Sequence, residues 1–78
     1  MDKIKVPRKV WKAIEAVKES GKTNMLDWQA VQFYCNENEE YEAVVWIQDH
    51  YKEWGQLIML GPEIIEGEND AKKRTSTN

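Results

Sequence analysis

The chain has 78 residues, a formal net charge of −3 and one cysteine, Cys35. That length leaves room for one modest core, and a single cysteine excludes an intrachain disulfide framework. No apolar run is long enough to cross a bilayer, and the basic excess that phosphate binding calls for is missing, so neither a membrane nor a nucleic acid is the expected partner.

Pro7 suits the first turn of a helix, where its missing N–H costs nothing. Val10, Ile14 and Val17 then recur at helical spacing, with Val6 and Ala13 on the same side and Lys9, Lys12, Glu15, Lys18 and Glu19 around the other. This predicts an amphipathic helix over roughly residues 7–20, with Trp11 at the edge of its stripe. Gly21 suits the left-handed position just past the end of that helix. Asn24 or Thr23 is expected to cap a second helix over about residues 25–36, with Asp27 favouring its positive end. Trp28, Val31, Tyr34 and Cys35 give that helix one apolar face.

The segment Asn36-Glu37-Asn38-Glu39-Glu40 is a polar break leading into a third helix, about residues 39–54, with Tyr41, Val44, Ile47, Tyr51 and Trp54 as its stripe and Gly55 as its stop. Leu57-Ile58-Met59-Leu60 is too short for periodicity to separate a strand-like extension from a last helical turn. Gly61-Pro62 breaks the chain, and Ile64-Ile65 tacks it down once more. Beyond residue 65 the only apolar side chain is Ala71, so residues 66–78 are expected to be a disordered tail. The expected fold is all-α, a compact three-helix domain over residues 1–65 with a short apolar extension.

No catalytic constellation stands out. Asp49 and His50 are helical neighbours pointing about 100° apart. A thiolate–imidazole pair of Cys35 and His50 is outweighed by the apolar company of Cys35, which marks it as a small core residue. One Cys and one His fall short of a structural zinc set. The acids Glu37, Glu39, Glu40 and Glu42 lack the alternating ligands and the central glycine of a calcium loop. No enzyme activity, metal or cofactor is expected. The second and third helices have the general size of a helix-turn-helix. Their outward Glu40, Glu42 and Asp49 would repel phosphate, which makes a DNA-binding regulator the alternative rather than the first reading.

Two large aromatics fall off the stripes. Phe33 points nearly opposite Val31, and Trp46 nearly opposite Val44, because two residues advance a helix by about 200°. Val45 lies beside Trp46. A helix that is apolar on two sides is either fully buried or uses its second face for a partner, and so short a chain has little material to cover both. Phe33, Val45, Trp46 and Trp11 are therefore the candidate protein-binding residues. The other outcome is that Leu57, Ile58, Met59 and Leu60 fold back over Trp46. The partner is another protein or a second copy of this chain, symmetric dimers being the commonest oligomers.

The run Val6-Pro7-Arg8-Lys9-Val10-Trp11-Lys12-Ala13-Ile14-Glu15, followed by Ser20-Gly21-Lys22-Thr23-Asn24-Met25-Leu26-Asp27, resembles a family of small proteins found largely in bacteriophages and prophages of Gram-positive bacteria. Val45-Trp46-Ile47 and the spaced Tyr51 or Trp54 before Gly55 look familial too, so the resemblance covers about residues 4–61. It implies an origin more than an activity. In that setting the expected job of a small acidic binder is to inhibit or redirect a host protein, such as a defence component, in the host cytoplasm. The start Met1-Asp2-Lys3-Ile4-Lys5, which lacks the apolar stretch of a signal peptide, agrees with that location.

Overall fold

The structure is a computed structural model and describes residues 3–66. Its elements are β1 (Ile4–Pro7), α1 (Arg8–Ser20), α2 (Trp28–Glu37), α3 (Tyr41–His50), a 3-10 turn (Tyr51–Glu53), α4 (Trp54–Leu60) and β2 (Pro62–Ile65). The three longer helices pack on one another, and both ends of the described chain meet beside them as a two-stranded parallel sheet. The fold is thus mostly helical rather than all-α. Each strand has only four residues, too few for period-two alternation to announce itself.

α1 is the amphipathic helix its spacing predicts. Val10, Ala13, Ile14 and Val17 are buried, and Val6 joins them from β1. Pro7 is the last residue of β1 and the position before the helix, with φ −60° and ψ 141°, so the helix starts one residue later than expected. At the other end Gly21 takes φ 69° and its N–H reaches the Lys18 carbonyl at 3.2 Å. The Ser20 hydroxyl donates to the Val17 carbonyl at 2.6 Å and accepts from the Lys22 N–H at 3.2 Å. It bridges the two groups that would bond directly in a full Schellman motif.

The second helix begins at Trp28 and not at residue 25. The Asn24 side chain accepts the Leu26 N–H at 2.9 Å, and the Asn24 carbonyl accepts the Asp27 N–H at 3.0 Å. Asn24 is thereby committed to a turn, the alternative that Asn side chains offer the backbone. Asp27 is the cap instead, accepting the Ala30 N–H at 3.1 Å. The α2–α3 connection closes as a Schellman motif: Glu40 N–H to the Cys35 carbonyl at 2.8 Å and Glu39 N–H to the Asn36 carbonyl at 3.0 Å. Glu39 takes φ 61° there, the sole non-glycine with positive φ among the described residues.

The third helix is shorter and rotated relative to expectation. Ala43 and Ile47 are its buried residues, and Val44 and Trp46 flank that line on either side, both half-buried. Tyr41 and Tyr51, read as core from the stripe, are exposed. The helix stops at His50, where φ is −125°. His50 Nδ1 donates to the Trp46 carbonyl at 2.7 Å, competing for the acceptor that its own backbone N–H would use. Gly55 is no stop either: it lies inside α4, which runs on to Leu60 and answers the open question about residues 57–60. Trp54 and Leu57 bury α4 against the core.

β2 runs parallel to β1 in the register Ile4↔Pro62, Lys5↔Glu63, Val6↔Ile64 and Pro7↔Ile65. Just beyond it, Arg8 grips the Glu66 carboxylate through Nε, at 3.0 and 2.8 Å to its two oxygens, and through Nη2. Glu66 is the first residue of the expected tail; the rest of that tail, residues 67–78, lies outside the described residues.

Candidate protein-interaction surface

The core leaves several large apolar side chains in water. Phe33 keeps 55% of its surface exposed and Val45 60%. Phe33 sits on the outer side of α2 because Val31 and Cys35 take the inner one, and its ring meets Tyr34 edge-on at 5.2 Å. Val45 lies about 200° beyond Ala43 around α3 and so faces away from the core. Tyr41, 58% exposed, is one helical turn before Val45 on that outer face. In the sequence it shares a stripe with Val44 and Ile47, which hides its exposure.

The other two candidates are not free in this way. Trp46 is half-buried against the core, and its outer surface is stacked on His50, with ring centroids 4.0 Å apart and planes 11° from parallel. Its neighbour one turn on thus covers one face of the indole. Trp11 also packs against the core. It forms one wall of a surface pocket of about 310 Å³ with Glu15, Lys18, Met25, Ile58 and Pro62. Trp11 and Trp46 therefore belong to the packing first, whereas Phe33 and Val45 stand clear of it.

A second set of exposed apolar residues, Leu26, Met59 and Leu60, escaped sequence reasoning. Leu26 lies in the α1–α2 loop and the other two at the end of α4, each beside a residue that lines the pocket or packs on the core. The loop is held by the buried Trp54 indole, whose Nε1–H donates to the Met25 carbonyl at 2.6 Å. Trp28 stacks on Tyr51 at 4.7 Å, tying the start of α2 to the 3-10 turn.

The titratable groups supply little chemistry. Cys35 is fully buried, and burial pushes its thiol up to about 11, with the negative charge of Glu40 adding to the shift. A thiol so placed is a poor nucleophile at neutral pH, and the His50 ring is engaged by Trp46. Among the described residues no group of three or more His, Cys, Asp or Glu side chains is placed to hold a metal ion. No described helix is long and apolar enough to cross a membrane. Lys9 pairs with Glu42 at 2.9 Å, which raises the lysine and offsets part of the acidic charge at the start of α3.

The stretch from Ser20 to Asp27 thus has structural work. Ser20 and Gly21 close α1, Asn24 makes the turn, Met25 receives the Trp54 hydrogen bond and Asp27 opens α2. No curated protein and no solved structure matches the chain. Residues 7–62, which span this stretch and every described helix, match the family described as a domain of unknown function (DUF5049), and the chain belongs to that family.

Proposed function

We propose that the protein is a non-catalytic binding module that attaches to another protein through the outer faces of α2 and α3. The observation carrying this reading is the exposure of Phe33, Tyr41 and Val45 on the two helices of one hairpin. Aromatic residues in such positions are the usual anchors of protein interfaces. Glu37, Glu39 and Gln48 surround them in sequence and are exposed as well, giving the polar rim that such surfaces carry. The resemblance to phage and prophage proteins favours a host protein as the proposed partner, for instance a component of a defence system, which the module would inhibit or redirect in the host cytoplasm.

The test is a quantitative pull-down from host lysate with the wild-type chain, Phe33→Ala, Val45→Ala and a distant surface variant, Lys22→Ala. The proposal expects one host protein to be retained by the wild type and by Lys22→Ala. Truncating an anchor should weaken its binding by roughly tenfold or more, with the helical circular dichroism unchanged. Equal retention by all four chains would refute the assignment of the surface.

A further inference from the structure

We infer that β2 is a detachable strap which two copies of this chain can exchange, each β2 pairing with the β1 of the other. The inference does not depend on the α2–α3 surface. Three observations carry it.

The first is the hinge. α4 ends at Leu60 and β2 begins at Pro62, so one residue, Gly61, makes the whole turn between them. Its torsions are φ 84° and ψ 168°, a region essentially reserved for glycine. Pro62 holds the preceding ψ in the extended range, which is where it already lies. Only φ remains to be changed. Glycine populates negative φ about as readily as positive φ, and with negative φ and its present ψ Gly61 becomes ordinary extended backbone, which carries β2 off its folded-back course. A single torsion of low cost thus separates the folded-back strap from an outstretched one.

The second is how β2 is held. It lies chiefly on β1 and α1. Its remaining tie is the Arg8–Glu66 ion pair, which is exposed to water on both sides; such pairs contribute little. A two-stranded pairing of this length has marginal stability of its own.

The third is what lifting the strap leaves behind. Val6 is wholly buried in the closed chain, opposite Ile64 in the register, and Ile64 and Ile65 are themselves half-buried. An outstretched β2 and an uncovered β1 each expose apolar surface and unpaired backbone groups, the template by which strands recruit other chains. The strand that restores every lost contact is β2 of another copy, since exchange reproduces the same register and the same Arg8–Glu66 pair. The occupant of β1 is then a second copy of this chain, the low-cost route to a dimer.

The test uses single cysteines on the exposed, register-paired Lys5 and Glu63. Full-length Lys5→Cys and Glu63→Cys chains are mixed, partly unfolded, refolded together and oxidised. Cys35, buried with its thiol raised, does not compete in the folded chain. A mixed disulfide dimer, in excess over a Lys5→Cys and Lys22→Cys control, is expected. The same mixture carrying Gly61→Ala should form at least tenfold more of it, because the closed turn is strained for alanine and the outstretched one is not. Sedimentation of Gly61→Ala without added cysteines gives a second reading, in which a folded dimer is expected. Mixed disulfide no more abundant than in the control, together with a monomeric Gly61→Ala chain, would overturn the inference.

Discussion

Trp54→Phe should cost this fold much of its stability, and the reason lies in one hydrogen bond. The indole is almost fully buried, and its Nε1–H donates to the Met25 carbonyl at 2.6 Å. Phenylalanine keeps an aromatic ring in the site but removes the donor. The Met25 carbonyl then loses its partner in a part-buried setting, which costs about 1–3 kcal/mol. The smaller ring also leaves a void, on the order of 1 kcal/mol. The sum, about 2–4 kcal/mol, is a large share of the roughly 0.05–0.15 kcal/mol per residue that small domains have available. Urea unfolding followed by circular dichroism should show a lower midpoint with an unchanged slope, and the melting temperature should fall by roughly 10 °C or more. Hydrogen exchange should speed up at the Leu26 and Asp27 amides, because the loop they order is pinned by this bond. A loss below about 0.5 kcal/mol, within the range of an ordinary surface substitution, would refute the view that Trp54 anchors the loop.

Other perturbations test the local geometry. Glu39→Gly should stabilise the domain by about 0.4–1 kcal/mol in equilibrium unfolding, since φ 61° suits glycine better than glutamate. Asp27→Ala removes the cap that accepts the Ala30 N–H and should cost about 0.5–2 kcal/mol, with the smallest loss in Asp27→Asn. The buried Cys35 thiol sits above its ordinary value, at about 11. Its contribution is therefore fully present below the unfolded thiol pKa and is lost as pH rises through the folded one. Stability should fall more steeply above about pH 9 in the wild type than in Cys35→Ala, and alkylation of Cys35 at neutral pH should track unfolding. Burial pushes the thiol up, whereas the Arg8 guanidinium pulls the exposed Glu66 carboxyl down. The Arg8–Glu66 tie is accordingly present above the normal carboxylate range and lost as pH falls through the lowered Glu66 value. The protection factors of the β2 amides, that is, exchange corrected for the pH dependence of the intrinsic rate, should fall slightly on acidification in the wild type and not in Glu66→Gln.

The first helix was legible because four of its apolar residues, Val10, Ala13, Ile14 and Val17, fall on one stripe and all are buried. The third helix is rotated from the phase that its large residues suggest. Tyr41, Val44 and Tyr51 suggested a stripe, while the helix turns the small Ala43 inward beside Ile47. Aromatic size and burial are separate properties, and Tyr41 in the open is the case that separates them. The start of α2 was misplaced because two good capping residues, Asn24 and Asp27, stand three apart, and only the folded loop decides which one caps. The sheet was hidden for another reason. Pairing Ile4–Pro7 with Pro62–Ile65 is a contact between the two ends of the described chain, and local pattern carries no record of it. Of the candidate surface, Phe33 and Val45 were readable from the 100° step of a helix. The half-burial of Trp46 was not, because its cover is the ring of His50 one turn away.

Binding through α2 and α3 is tested most directly by the affinity of one recovered host protein for the wild type against the Phe33→Ala/Val45→Ala double variant, measured by calorimetry on chains shown to be equally folded. A loss of roughly tenfold or more is the predicted result. An unchanged affinity in the folded double variant would contradict it.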